Sequence, residues 1–368
     1  MALKLLCQSL LVLGALGSVL PPRADQCPAL PTNYSPRPNP KLPDPFLQLD
    51  GTRITKKDEW TCQRDYLSQL IQKYELGDYP APPESVTASL SGSTLSITVR
   101  DKEKSISFSV SIRAPSSGGS GPFPAIIAYG GPSIPIPSGI ATIIFNNDEI
   151  AQQINTGSRG KGKFYDLYGS GATASAMLAW AWGGALVAGA FVDRIALTLP
   201  QESGSGGAAC WRLSDEMKRR GINVQTASQI ITENVWLSRS FEQFARNNNV
   251  PGLPIDHHEL AGMVAPRALL VIENTSQVWL GNMATYGCMK TAHKIWEALG
   301  VPENMGFTQT GDHSHCQWSS SQSAELTAFI DKFLRGTGTA NTNIIKTDNP
   351  NLGFVDSDWV DWYVPTLV

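Results

Sequence analysis

Two residues in separate turns could act as an acid and a base. Glu202 lies in the turn Pro-Gln-Glu-Ser-Gly after a predicted strand, and His315 lies in a late loop, Gly-Asp-His-Ser-His-Cys. A carboxylate just past the carboxyl end of a strand can accept a hydrogen bond from imidazole, which fixes the tautomer of the ring and stabilises imidazolium. The imidazole can then take a proton from a nucleophile and return it to a leaving alcohol. These are the two roles for which Glu202 and His315 are the candidates.

The same residues allow other interpretations. Taken alone, Glu202 could be a structural carboxylate, and His313 could be the base instead of His315. Asp312, His313 and His315 could also bind a metal ion. We expect no metal, because ligands this close in one loop rarely complete a coordination shell without residues from elsewhere.

The chain has no serine in the setting that a hydrolase nucleophile needs. Such a serine sits between glycines on a sharp turn from a strand to a helix. Ser170, Ser203 and Ser205 lie near glycines, but none combines a preceding strand, glycines at the right offsets and a following helix. Gly130 and Gly131 follow a predicted strand, where a backbone donor for an oxyanion is often found, although a plain turn explains them better.

Alternating and apolar segments predict the elements that must position these residues. Ser85–Val99 and Ser105–Arg113 alternate and predict an antiparallel strand pair. Further strands are predicted at 124–129, 140–145, 194–199 and 267–272, and helices at 60–74, 291–299 and 323–334. Strands that alternate with helices after an antiparallel start predict a three-layer α/β sandwich with a mostly parallel central sheet.

Several blocks, in one order, resemble the fungal glucuronoyl esterases, carbohydrate esterases of the α/β-hydrolase fold. The blocks include AWAWG at 179–183, GALVAGAF at 184–191 and LPQESG at 199–204. In that family AWAWG is followed by the rest of a helix, a strand and a G-C-S-R-x-G elbow that runs into GALVAGAF. Here the blocks abut at Gly183 and Gly184. The resemblance implies an internal deletion near 183/184, on the order of 30 residues or about one βαβ unit, that removes a central strand and the nucleophile elbow.

The resemblance also implies the site. It makes Glu202 the acid and His315 the base, and it places Gln225, Glu233 and Trp279 around the sugar. Such side chains can hydrogen-bond vicinal hydroxyls or cover a ring edge. The implied substrate is an ester between a lignin alcohol and the (4-O-methyl-)glucuronic acid of glucuronoxylan, hydrolysed without metal or organic cofactor.

The absence of a serine elbow separates this chain from that activity. Loss of the nucleophile from a triad costs about 10⁶ in kcat, so we predict negligible esterase activity for the chain as written. One alternative is a secreted, non-catalytic uronate- or xylan-binding protein. The other is a skipped exon or an over-called intron in the gene of an active esterase.

The number of cysteines is odd once Cys7 of the leader is set aside, which indicates an unpaired thiol in a secreted protein. The resemblance implies disulfides between Cys27 and Cys62 and between Cys210 and Cys288. It pairs Cys316 with a cysteine of the absent elbow. We therefore expect Cys316 to be unpaired.

Residues 1–20 predict a secretory signal peptide, because Lys4 precedes an apolar run that ends before two prolines. Residues 21–368 are predicted to form one esterase-like domain of an extracellular monomer. Secretion permits N-glycans at the sequons of Asn33 and Asn274. A net charge of −3 with 17% charged residues indicates no broad basic face for nucleic acid or an anionic membrane. Residues 169–192 could span a bilayer by length, but their Ala, Gly and Ser content favours soluble core helices.

Overall fold

The computed structural model describes residues 27, 29–31, 34–48, 50–115, 121–181, 186–246 and 249–368. The predicted signal peptide, Asn33 and the junction of Gly183 with Gly184 lie outside the described residues.

Five strands form a mixed sheet in the order β1-β2-β3-β5-β4. They are β1 (Ser85–Ser91), β2 (Thr94–Asp101), β3 (Lys104–Arg113), β4 (Ala125–Tyr129) and β5 (Ala141–Phe145). β1, β2 and β3 form an antiparallel meander, β3 pairs antiparallel with β5, and β4 pairs parallel with β5. One strand over Ser85–Val99 was therefore a wrong prediction. Gly92, with a φ of 59°, begins a two-residue turn that separates β1 from β2.

Four strands form a second, fully parallel sheet in the order β6-β7-β8-β9. They are β6 (Leu197–Thr198), β7 (Ala268–Asn274), β8 (Met305–Thr310) and β9 (Ile344–Thr347). Every residue of β7 is buried, as expected for a parallel strand covered on both faces. β8 and β9 were not predicted from the sequence.

The α-helices of the described residues surround these sheets. They are α1 (Trp60–Ile71), α2 (Asn147–Ile150), α3 (Lys163–Tyr168), α4 (Ala176–Ala181), α5 (Leu186–Phe191), α6 (Trp211–Arg219), α7 (Ala227–Glu233), α8 (Glu242–Ala245), α9 (His257–Gly262), α10 (Asn282–Ala298), α11 (Ser323–Ile330) and α12 (Asp356–Trp359). The predicted helix 291–299 is the second half of α10. The predicted helices 60–74 and 323–334 are α1 and α11, each continued by a π-helical turn.

Alternate residues of β7 show the three layers. Leu269 and Val271 belong to one buried cluster with α10, whereas Leu270 and Ile272 belong to a second cluster with α11. Because successive side chains of a strand point to opposite faces, α10 and α11 lie on opposite sides of the sheet. This is the predicted three-layer sandwich.

The central sheet is divided, since no strand pairing within the described residues joins the two sheets. β4 ends the first sheet and β6 ends the second, yet Ile126 of β4 packs on the same buried cluster as Leu197 of β6. Ile127 of β4 is 53% exposed, although a parallel strand in the middle of a covered sheet is buried on both faces. The predicted mostly parallel sheet is thus present as one mixed and one parallel sheet.

Two disulfides fasten the helices. Cys27 is bonded to Cys62 of α1, and Cys210, at the start of α6, is bonded to Cys288 of α10. This is the pairing that the resemblance implies. Cys316 is the free cysteine of the described residues.

Residues 169–192 contain α4 and α5, and the side chains of α5 are buried in the core. No helix in the described part of the chain combines the length and the apolar character that crossing a bilayer requires.

Candidate active site

Glu202 follows β6 in a turn that β7 holds in place. Gln201 forms a parallel bridge with Ile272 of β7, and the N–H of Glu202 donates to the carbonyl of Ile272 at 2.7 Å. Glu202 has a φ of 48°, in the left-handed region that residues other than glycine rarely adopt. Its side chain is completely buried. The turn therefore places a buried carboxylate at the carboxyl end of the parallel sheet.

The carboxylate of Glu202 orients His315. Nδ1 of His315 donates to Oε2 of Glu202 at 2.9 Å. The same oxygen accepts the backbone N–H of Cys316 at 2.9 Å and Nδ2 of Asn274 at 3.3 Å. With its proton held on Nδ1, the ring of His315 keeps Nε2 free to accept a proton, which is the tautomer that a general base needs.

His313 also contacts Glu202, but its ring is occupied. Nε2 lies 3.2 Å from Oε1 of Glu202, and Nδ1 lies 2.8 Å from the carbonyl oxygen of Gly311. The side chain of His313 is 8% exposed, whereas that of His315 is 41% exposed. The geometry thus favours His315 over His313 as the base.

The contacts of His313 also oppose a metal ion held by Asp312, His313 and His315, because both ring nitrogens of His313 already face protein oxygens. Within the described residues, a different trio, Glu202, His315 and Cys316, brings its possible ligand atoms within 4.8 Å of one another. Glu202 and Cys316 lie at opposite nitrogens of one imidazole ring, however, so only Sγ of Cys316 and Nε2 of His315 can face a common ion. Catalytic zinc sites use three protein ligands, and this arrangement offers two.

Asn274 holds the loop of His315 from the end of β7. Besides its bond to Glu202, Nδ2 donates to the carbonyl of His313 at 3.1 Å, and Oδ1 accepts the N–H of Ser276 at 2.9 Å. The side chain is completely buried. The predicted N-glycan at Asn274 is therefore wrong for the folded chain, because the nitrogen that would carry it is buried and used as a donor.

Glu273 is a second buried acid that the sequence analysis missed. Its Oε1 accepts the N–H groups of Ser203 and Gly204 at 3.0 and 3.4 Å. Burial, the largest cause, and the nearby charge of Glu202 together raise the pKa of Glu273 to about 8. Glu273 is therefore mostly protonated at neutral pH, which leaves a single negative charge, on Glu202, beneath the two histidines.

The three residues expected around the sugar form a row that ends at His315. The ring of Trp279 lies edge-on to that of His315, with centroids 5.0 Å apart, and Trp279 is 38% exposed. The N–H of Gln225 donates to the carbonyl of Trp279 at 3.0 Å. Nε2 of Gln225 in turn donates to Oε2 of Glu233. An aromatic face, an amide and a carboxylate thus lie together on an accessible rim beside the base.

Neither glycine after β4 offers a free oxyanion donor. The N–H of Gly130 donates to the carbonyl of Phe145 at 2.8 Å, and that of Gly131 to the carbonyl of Tyr129 at 2.6 Å. Both glycines have positive φ. The segment is a turn, as the plainer interpretation of the sequence had it.

No described serine serves His315 as a nucleophile. Sγ of Cys316 lies 3.5 Å from Nε2, and no hydrogen bond among the described residues joins a serine to the ring. The hydroxyl of Ser203 contacts Glu273, and that of Ser205 is buried against the carbonyl of Gln225. Among the described residues the candidate acid and base are therefore in contact, and no serine hydroxyl is hydrogen-bonded to the imidazole.

Comparison with known proteins gives the site its context. A family model described as glucuronyl esterase, fungi, matches residues 97–184 and 183–300, two segments that meet at the glycine pair. A 4-O-methyl-glucuronoyl methylesterase of Hypocrea jecorina is 50% identical over 372 aligned residues, covering 93% of this chain and 79% of the relative. Since 93% of 368 residues is fewer than 372, about 30 aligned positions have no counterpart here. The corresponding protein of Thermothelomyces thermophilus is 46% identical and covers 98% of this chain and 99% of the relative.

Solved structures of glucuronoyl esterases are also similar to this chain. The glucuronoyl esterase catalytic domain from Hypocrea jecorina superimposes with a TM-score of 0.88 at 49% identity, over 92% of this chain and all of that one. A serine-to-alanine mutant of the Sporotrichum thermophile glucuronoyl esterase, in complex with methyl 4-O-methyl-β-D-glucopyranuronate, gives a TM-score of 0.88 at 47% identity. It covers 94% of this chain and all of that one.

Proposed function

This chain belongs to the fungal glucuronoyl esterase family, and from that premise we propose that it binds glucuronate esters of xylan but does not hydrolyse them at an enzymatic rate. The family consists of carboxylic ester hydrolases with the α/β-hydrolase fold. Our proposal concerns what this particular chain retains of that activity. The observation that carries it is the pair of Glu202 and His315, intact at 2.9 Å with no serine hydrogen-bonded to the imidazole in the described part of the chain.

Three independent features support the loss of a strand and a nucleophile elbow between Gly183 and Gly184. The family model matches in two segments that meet there, and the alignment with the Hypocrea jecorina relative leaves about 30 positions without a counterpart. The sheet is divided between β4 and β6, with Ile127 exposed at the open edge. Finally, Cys316 is not bonded to another cysteine of the described residues.

Retained binding is supported by the rim beside the base. Trp279, Gln225 and Glu233 are linked by hydrogen bonds to one another and by ring contact to His315. An exposed aromatic ring with adjacent polar groups is suited to a sugar whose hydroxyls need partners. A relative of known structure is bound to methyl 4-O-methyl-β-D-glucopyranuronate, and we extend that ligand class to this chain.

Calorimetry with methyl glucuronate and with glucuronoxylan fragments tests the proposal. We expect binding that Trp279→Ala weakens, together with a rate of ester cleavage about 10⁶-fold below that of an intact enzyme. Trp362→Ala is the matched control, because this tryptophan packs on Phe46 and donates to the carbonyl of Leu42. Turnover near ordinary enzyme rates would refute the loss of activity, and absence of binding would refute the retained pocket.

A second candidate is an active esterase whose gene yields this sequence by a skipped exon or an over-called intron. The two-part family match favours a break of this kind. Peptide mapping of the secreted product separates the candidates. A true junction gives a peptide that contains WAWGGALV, whereas a longer product gives AWAWG and GALVAGAF in different peptides.

We also propose that the chain is secreted, which its two disulfides support, because such bonds persist in oxidising compartments. Cleavage of the signal peptide, a glycan at Asn33 and the monomeric state stay predictions. Amino-terminal sequencing, glycosidase treatment and sedimentation of the secreted protein test them.

A further inference from the structure

The free thiol lies where an imidazole base can use it. Sγ of Cys316 is 3.5 Å from Nε2 of His315, and Nδ1 of the same ring donates to Oε2 of Glu202 at 2.9 Å. Thiol, imidazole and carboxylate thus follow one another in the order of a nucleophile, a base and the acid that orients the base. We propose that Cys316, His315 and Glu202 form a thiol triad, which transfers acyl groups from activated esters to the sulfur of Cys316.

The backbone fixes the thiol relative to the base. Cys316 has a φ of 60°, a left-handed conformation that is unfavourable for residues other than glycine and persists only where surrounding contacts hold it. Two bonds hold it here: the N–H of Cys316 donates to buried Glu202 at 2.9 Å, and the N–H of Gln317 donates to the carbonyl of Ser314 at 3.0 Å. A single carboxylate therefore positions both the ring and the residue that carries the thiol.

The site is open to a reagent. Cys316 is exposed, and the side chain of His315 is 41% exposed beside the ring of Trp279. A thiol inside the core would be inert, but this one can be approached from the rim on which we propose that the sugar binds.

The protons balance with His315 as a general base. Partial burial, and after it the charge of Glu202, raises the pKa of the Cys316 thiol, so the resting group is S–H and not thiolate. In the reaction Sγ attacks the carbonyl carbon of the ester as its proton passes to Nε2 of His315. The bond from carbon to the leaving oxygen then breaks, and the imidazolium returns the proton to that oxygen. The products are a thioester on Cys316 and a free alcohol, with no change in oxidation state.

The same geometry limits the reaction. The N–H of Cys316 is committed to Glu202, and those of Gly130 and Gly131 are committed to backbone carbonyls, so none of them can stabilise an oxyanion. Removing one oxyanion donor alone costs about 10²–10³ in rate. The triad should therefore react with esters that have good leaving groups, such as p-nitrophenyl acetate, and release the acyl group slowly.

The test is the rate of acylation by p-nitrophenyl acetate after mild reduction and desalting of the full chain. We expect a burst of one p-nitrophenolate per chain and one acetyl group on the tryptic peptide of Cys316. His315→Gln should slow acylation of the same thiol by about a hundredfold, the usual range for general-base catalysis, with folding checked by circular dichroism. Iodoacetamide labelling measures whether the thiol is equally accessible in both proteins.

Two further variants keep the outcome decisive. Cys316→Ala should abolish the burst, because it removes the sulfur that takes the acyl group. Ser93→Cys in that background places an exposed thiol in the turn between β1 and β2 and should react only as fast as a free thiol such as N-acetylcysteine. Acylation of Cys316 no faster than that of Cys316 in His315→Gln, or than the hairpin thiol, would overturn the triad. Methyl glucuronate binding is measured separately, so its failure bears only on the proposed function.

Discussion

Glu273 should make the stability of the chain depend on pH between about 5 and 8. The group is completely buried, and burial raises its pKa to about 8 from an ordinary value of 4.5. Because the pKa is higher in the folded chain than in the unfolded one, the folded state holds its proton longer. The stabilisation is complete below pH 4.5 and is lost as the pH rises towards 8.

The size of the effect follows from the pKa values. One pKa unit corresponds to about 1.4 kcal/mol, so ionising Glu273 costs about 5 kcal/mol more in the folded chain than in the unfolded chain. Between pH 5 and pH 8 the free energy of unfolding should fall by about 3 kcal/mol from this residue. Glu273→Gln keeps an oxygen that can accept the N–H groups of Ser203 and Gly204 but cannot ionise. The variant should therefore be close to the parent at pH 5 and more stable at pH 8.

The assay is urea unfolding at several pH values, followed by tryptophan fluorescence. Glu259 is the matched control for the influence of Glu202. Burial also raises the pKa of Glu259 to about 8, but the charge of Glu202 does not contribute to that shift. Glu259→Gln therefore isolates the part of the pH dependence that comes from Glu259. Glu202→Gln should lower the pKa of Glu273, because it removes a negative charge that helps to raise that pKa. The same change should leave the pKa of Glu259 as it is. If the parent and Glu273→Gln lose stability in parallel from pH 5 to 8, Glu273 is ionised and the reasoning fails.

Three other predictions concern the open edge, the buried amide and the core. Any concentration-dependent association of the chain in sedimentation should be weaker in Ile127→Lys, because a charge blocks pairing at an open strand edge. Ile154→Lys, at a site that is 79% exposed and outside the strands, should have a smaller effect. Equal effects of the two changes would contradict the open edge. Asn274→Ala should lower the free energy of unfolding by about 1–3 kcal/mol without any loss of glycan mass, and a glycosidase-sensitive mass at this position in the parent would contradict the structure. Gly189→Ala should cost about 1–3 kcal/mol, because its Cβ would lie 2.2 Å from Oγ1 of Thr198, whereas Gly206→Ala, with its nearest contact at 3.7 Å, should cost less.

The sequence predicted those strands whose apolar residues are continuous. β4, β5 and β7 begin and end within two residues of the predicted bounds, because each is a run of Ala, Ile, Val or Leu with turns at its ends. β8, with the sequence MGFTQT, has too little apolar character for that signal, and β9 has only four residues. β6 was predicted over six residues, but it pairs with β7 over only two.

Burial, pKa values and backbone conformation at the site could not be predicted from the sequence. Asn274 matched a sequon, but the sequence does not reveal that its side chain is buried under the loop of His315. Glu273 directly follows the predicted strand 267–272, and nothing in the sequence indicates its raised pKa. The free state of Cys316 could be predicted by counting cysteines. Its contact with Nε2 of His315 depends on a left-handed backbone conformation at Cys316, which the residue types of this loop do not predict.

The hydrogen bonds that hold the proposed acid and base lie within the parallel sheet. Glu202 follows β6, Asn274 ends β7, and the loop of His315 follows β8, so all three belong to the parallel sheet. Their hydrogen bonds run between the ends of adjacent strands and do not involve the mixed sheet. On our proposal the lost segment lay between the two sheets, beyond β6, so its removal takes away the serine without disturbing the groups that hold the imidazole. We therefore predict that Nε2 of His315 keeps its orientation and can serve the thiol of Cys316, which lies 3.5 Å away.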